Sequence, residues 1–402
     1  MAVGDRNIHI VFIAAVFCLC LLCGCDGYRR ADKITDYELF LHNYTKYSDI
    51  YLPPDAPVGP GAENIEGFTA LSEIGFEFGK SFDGGVAFVK TKSGKYLLNA
   101  RGELKETKLD LSETQTYGTY YIAEENGLKG VRTVFGDEIL PCAYSEIRII
   151  GKTVLAENAE RYEIYSCGVL TCAVPARENV SLISENYILA GDTLRDLYYN
   201  AQYACGRKYA AVPSEGKVTV ELESGYVGYA DIENMRLIGG EYAEASGFCE
   251  GTATARKPSG EWVVIDSLGN ELFSSKAVKA GNSANGYRLY LKYNFYGAMD
   301  GEFNDITGAI FHTLRYEYVT GDCVIPRYGK GYAVYSLAER RYTGVEHEQI
   351  DYADGLFICR DGEKTIVRNG ALKIIAECES AEMSENVLTI RKDGKYFYYI
   401  KS

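Results

Sequence analysis

Short runs of alternating apolar and polar residues, each interrupted by glycine or an Asp-Gly pair, recur along most of this 402-residue chain. In "VLTIRKDGKYFYYI", residues 387–400, Leu388 and Ile390 alternate with Thr389 and Arg391, Asp393 and Gly394 turn the chain, and a second apolar run returns. A period of two places successive side chains on opposite faces, so each run predicts a strand and each pair a β-hairpin. "AFVKTKSGKYLLN" around Gly94, "ICRDGEKTIV" around Gly362 and "ARKPSGEWVVID" around Gly260 have the same form. Trp262, the one tryptophan, opens a return strand as Tyr96 and Tyr396 do, which predicts a core or interstrand aromatic.

Marking the first apolar residue of each strand that runs into such a turn gives Val86, Tyr121, Val154, Tyr187, Val218, Thr252, Arg288, Val324, Leu356 and Leu388. The spacing averages about 33 residues, and the units at Val154 and Tyr187 are the faintest. A hairpin cannot bury its own apolar face, so such units must stack on one another. The expected fold is therefore all-β: hairpin or meander units of two or three strands each, arranged as an open solenoid or a closed, propeller-like ring.

The first 65 residues have a different texture. An apolar run, "IVFIAAVFCLCLLCGC", follows the single cation Arg6 and is too short to span a membrane comfortably. Its end resembles a bacterial lipobox, with Leu22 three places before Cys25 and Gly24 next to it, although Cys23 stands where that motif prefers Ala, Ser or Thr. The resemblance implies that residues 1–24 are a signal peptide, that Cys25 carries a lipid, and that the protein sits on the extracytoplasmic face of a membrane. Residues 25–65 read as a tether, because "LPPDAPVGPGAEN" concentrates proline and glycine ahead of the repeat domain at 66–402.

Composition narrows the partners. The formal net charge of −14 repels a phosphate backbone, so nucleic acid is not an expected partner. Twelve cysteines leave eight beyond Cys25. Most lie in apolar strand-like runs, where a thiol acts as a small hydrophobe; Cys167 and Cys172, flanking "GVLT", are the best disulfide candidates. No metal site and no cofactor is expected, since no Cys/His pairing and no glycine-rich phosphate loop occurs. The acidic loop of Asp300, Glu302 and Asp305 could supply paired carboxylates or calcium ligands, but reads first as a solvated turn. His9, His42, His312 and His347 are scattered and adjoin no nucleophile motif.

Three stretches carry a family resemblance: "ENGLKGVRTVFGDEILPCAYSEI" at 125–147, "NFYGAMDGEFN" at 294–304 and "FCEGTATARKPSGEWVVIDSLGNEL" at 248–272. They resemble the bacterial WG-repeat family, whose units hold a Gly-Lys-Trp-Gly turn-and-strand, a following Asp and Gly, and an Ile-Pro-x-x-Tyr-Asp-x-Ile tail. Gly130 and Gly297 match the second glycine, Asp266 and Asp300 the acidic place, and Pro141, Tyr144 and Ile147 the tail; the Trp-Gly pair itself does not occur. The resemblance implies an exported all-β repeat protein and brings no catalytic residue. The expected role is a lipid-anchored binding module for a protein or cell-envelope polymer, with a glycosidase-like hydrolase on a propeller-like scaffold as the alternative.

Overall fold

The structure, a computed structural model, describes residues 64–206, 212–234 and 236–402. The signal, Cys25 and nearly all of the tether lie outside these residues. Among the described residues no helix forms, and the strands assemble into ten antiparallel sheets. In chain order the sheets occupy residues 78–106, 116–144, 146–175, 180–204, 217–242, 244–275, 279–300, 323–347, 349–378 and 380–401. Each of the ten sequence marks falls in a different sheet, the faint Val154 and Tyr187 in complete four-stranded ones.

The units carry more strands than two or three. Eight sheets have four strands, and the fifth and seventh have three. Turns as short as two residues, such as Asp393-Gly394 between Lys392 and Lys395, let four strands fit into about 33 residues. In the seventh sheet the fourth place is taken by irregular chain, which bridges Met299 to Asp305 and Tyr296 to Phe311.

Apolar residues from consecutive sheets fuse into shared cores. Phe88 and Leu97 of the first sheet meet Val134 of the second, Leu155 and Ile164 of the third meet Ile188 of the fourth, and Tyr229 of the fifth meets Val263 of the sixth. The second and third, fourth and fifth, seventh and eighth, eighth and ninth, and ninth and tenth sheets join in the same way, and the sixth and seventh are linked by Arg288, whose guanidinium donates to Thr252 Oγ1 at 2.7 Å. The tenth sheet then packs on the first, where Tyr398 and Val387 are buried against Phe76 and Phe82. The arrangement is a closed ring, a β-propeller. Its seam is an N-terminal strand, Phe68–Ala70, which adds to the outer edge of the tenth sheet with Phe68 opposite Lys401 and Ala70 opposite Tyr399.

Because the strands alternate in direction, turns between first and second strands and between third and fourth strands emerge on one face, here called the lower. Turns between second and third strands, and the links between sheets, emerge on the upper face. On the lower face carboxylates hook neighbouring turns together: Glu385 accepts from the Gly84 and Gly85 amides at 2.8 and 2.7 Å across the seam. Glu250 accepts from Ser283 Oγ at 2.6 Å and from the Asn285 amide at 2.7 Å, and Asp83 from Thr116 and Gly118. These acids stitch the ring and are occupied in doing so.

All eight body cysteines are thiols. The proposed Cys167–Cys172 bridge does not form: Cys172 points into the core shared by the third and fourth sheets, while Cys167 occupies a turn with φ of 49°. Burial pushes the Cys172 and Cys359 thiols up to about 11, which keeps them protonated at neutral pH.

Candidate interaction face

The ten hairpins serve as controls for one another. At the mouth of the hairpin on the upper face, the last residue of the second strand pairs with the first of the third, and three sheets place Lys90 opposite Lys95, Asp361 opposite Lys364 and Lys392 opposite Lys395. The sixth and seventh sheets set a cation against an aromatic ring, Arg256 opposite Trp262 and Lys292 opposite Phe295, whereas the second and fifth set an acid against an aliphatic residue, Glu125 opposite Leu128 and Glu221 opposite Val227. The turn of the seventh stands apart. Where the tenth sheet has Asp393-Gly394, it has Tyr293-Asn294, with φ of 50° and 65°.

Left-handed backbone suits glycine and asparagine; a tyrosine there is strained by its Cβ. Tyr293 is nevertheless held in that conformation and is 77% exposed, so neither local propensity nor burial explains it. Phe303 and Leu372 share this backbone conformation in other turns but are less exposed, which singles out Tyr293 as the candidate position.

Its neighbours form a continuous apolar and cationic strip. Chain 311–315 is stitched between the seventh and eighth sheets: the Tyr296 amide donates to Phe311 O at 2.7 Å, and the Arg327 amide to Thr313 O at 2.8 Å. This places Phe295 edge-on to the His312 ring at 5.7 Å between centroids, with Ile310 exposed beside it. One step further, Tyr328 is half-exposed and leans on Tyr342 at 4.7 Å. On the other side Trp262 is partly buried, with the Lys279 ammonium 4.6 Å and the Arg256 guanidinium 5.8 Å from its ring centroid. Trp262 is thus an interstrand aromatic at the rim, outside the buried clusters.

The cations complete the pattern. Lys292 lies 5.7 Å from the Tyr293 ring, and Arg327 lies 5.3 Å from the Tyr332 ring while donating to Lys330 O at 2.6 Å. Among the described residues Lys279, Lys292, Arg327 and Lys330 form no ion pair with a carboxylate, whereas Arg256 is paired with Glu244 at 2.8 Å. Of the adjacent acids, Glu346 is taken by the Lys330 and Gly331 amides, and Glu261 and Glu271 by Lys257.

The sequence-derived chemical candidates resolve into structural roles. Asp300 accepts from the Glu302 and Asn304 amides and from Asn304 Nδ2, which holds its carboxyl below the usual range; Asp266 makes the same turn with Leu268 and Asn270. Asp305 accepts from Tyr290 Oη at 2.8 Å. Buried His347 shares Nδ1 with Asp361 at 2.6 Å, but its Nε2 meets no hydroxyl or thiol, so no nucleophile is held there. No group of three metal-ligating side chains occurs among the described residues. A cavity between the third and fourth sheets, lined by Cys172, Arg195, Asp196 and Gln202, has about 10 Å³, room for roughly one water molecule.

No family model and no curated protein sequence matches the chain. Among solved structures the chain is similar to BamB from Moraxella catarrhalis, at 12% identity and a TM-score of 0.35 over 63% of this chain and 96% of that one. It is also similar to the computationally designed Ika8 protein, at 11% identity and a TM-score of 0.36 over 63% of this chain and 95% of that one. A third similarity is to a eukaryotic initiation factor, at 9% identity and a TM-score of 0.37 over 79% of this chain and 91% of that one.

Proposed function

We propose that the protein is a non-enzymatic interaction module, a propeller of WG-like repeats held on the extracytoplasmic face of a membrane by a lipid on Cys25. It receives a protein or envelope polymer on the upper face of its sixth to eighth sheets. The observation that carries this reading is Tyr293, strained and 77% exposed at the centre of a strip whose hairpin mouths set cations against aromatic rings. Aromatic residues and arginine gathered on one patch are the composition of binding hot spots.

The test places a photo-reactive phenylalanine analogue at 293 in the full chain in the producing cells, with the same analogue at 268 as control. Leu268 is 78% exposed but lies on the lower face. A discrete covalent adduct from 293 and none from 268 is expected; no adduct from 293, or the same adducts from both, overturns the reading. In parallel, Cys25→Ala is expected to move the protein out of the membrane fraction, and unchanged acyl labelling of that variant overturns the anchor.

A further inference from the structure

Resting on the reading of the sixth to eighth sheets as the binding face, the distribution of charge identifies what binds there. The chain carries a net −14, yet Lys279, Lys292, Arg327 and Lys330 lie on one strip with no carboxylate paired to them among the described residues. Cations left without counter-charge on an acidic protein complement an anionic partner.

The reach of the field sets the size of that partner. Screening confines the strip's attraction to about 10 Å at 0.1 M salt, while a long polyanion would also meet the acidic remainder of the ring. A short anionic segment engages the strip alone. The ring geometry then selects its chemistry. A sugar stacks between or across open aromatic faces, but Lys279 and Arg256 lie over Trp262, His312 abuts Phe295, and Tyr342 abuts Tyr328, which leaves only Tyr293 largely open on the strip. What the strip presents is ammonium groups held over aromatic rings, a match for carboxylates interleaved with apolar side chains.

We propose that the upper face of the sixth to eighth sheets binds a short acidic segment of a partner protein, in which carboxylate and apolar residues alternate. Lys279 and Lys292 receive carboxylates, while Tyr293, Phe295 and Ile310 receive the apolar side chains between them.

The probe is a fluorescent peptide of alternating glutamate and leucine, titrated into the detergent-solubilised full chain and followed by anisotropy. A lysine-leucine peptide and an oligogalacturonide serve as comparison ligands. Saturable binding of the glutamate peptide is expected, weakened by added salt and by about tenfold or more in Lys279→Glu/Lys292→Glu. Tyr293→Ser should weaken it too, whereas Arg101→Glu, at a turn on the lower face, should not. Unchanged thermal melting of the variants keeps a loss of binding from being a loss of fold. Equal binding of the lysine peptide, tighter binding of the oligogalacturonide, or indifference to both substitutions overturns the proposal. A position-293 adduct without glutamate-peptide binding refutes the acidic segment and leaves the binding face standing; absence of both refutes the face as well.

Discussion

Glu163 is only 6% exposed, yet it is charged, and three donors explain how. Tyr144 and Tyr165 hydroxyls donate to its Oε2 at 2.8 and 2.6 Å, and the Arg161 guanidinium grips its Oε1 at 2.7 Å, joining the second sheet to the third. Burial alone would raise its pKa; the hydrogen bonds from Tyr165, Tyr144 and Arg161 outweigh it and hold the carboxyl below the ordinary range. The folded state therefore prefers the carboxylate. Its stabilising contribution is fully present above the unfolded value of about 4.3 and is lost as pH falls through the lower, folded value. Glu163→Gln should destabilise the protein at pH 7 by about 1–3 kcal/mol, because the amide opposes a donor to Arg161. It should also flatten the loss of melting temperature between neutral pH and about pH 3. Thermal melts across that range check both; a variant that melts like the parent at pH 7 contradicts the account.

At the scale of the element, what the sequence shows and what it hides have one cause: local chemistry is legible and cross-sheet contact is not. The hairpin turns announce themselves, and so every mark from Val86 to Leu388 fell in a separate sheet. Gly130, singled out as a repeat glycine, has a local physical reason that the fold supplies. The fourth strand, Glu138–Tyr144, crosses over it with a register shift, and a Cβ there would lie 2.7 Å from Leu140 O and from the Cys142 amide nitrogen. Gly297 is confined likewise by the Tyr290 ring and Gly308 O. Gly130→Ala should lower stability by about 1–3 kcal/mol, seen as a lower urea midpoint at an unchanged slope. An unchanged midpoint would mean that the strands separate there without penalty. The proposed binding strip is not legible in this way. Trp262 is the interstrand aromatic that its sequence suggests, but its place on the strip shows only once Lys279, a residue of the next sheet, is set over its ring. Tyr293-Asn294 lacks the glycine that flags a turn, so its departure shows only when the hairpins are set in register. The strand count was missed for the converse reason: fourth strands such as Leu104–Glu106 are too short to show a period.

The whole molecule is a ring closed without a covalent bond, and its seam is where closure can be tested. Sheet ten shares one core with the ninth sheet through Ile358, Val367, Leu388 and Ile390, and another with the first through Phe76, Phe82, Val387 and Tyr398. The strand Phe68–Ala70 clamps its outer edge, Ile65 is 5% exposed in the core with the ninth sheet, and the Ser402 amide donates to Gly67 O at 3.0 Å. In an open solenoid an end strand frays alone, because each unit leans only on its neighbours. In a ring, loosening the tenth sheet uncovers both cores at once. A chain beginning at Ser72 loses the clamp and Ile65, whose burial is by itself worth about 2–5 kcal/mol. A chain beginning at Asn64 keeps both. The shorter chain should melt well below the longer one, with faster amide exchange in the first, ninth and tenth sheets and little change in the third and fourth. Equal melting temperatures, or exchange confined to the tenth sheet, would show that the seam carries no load and that the ring behaves as an open stack.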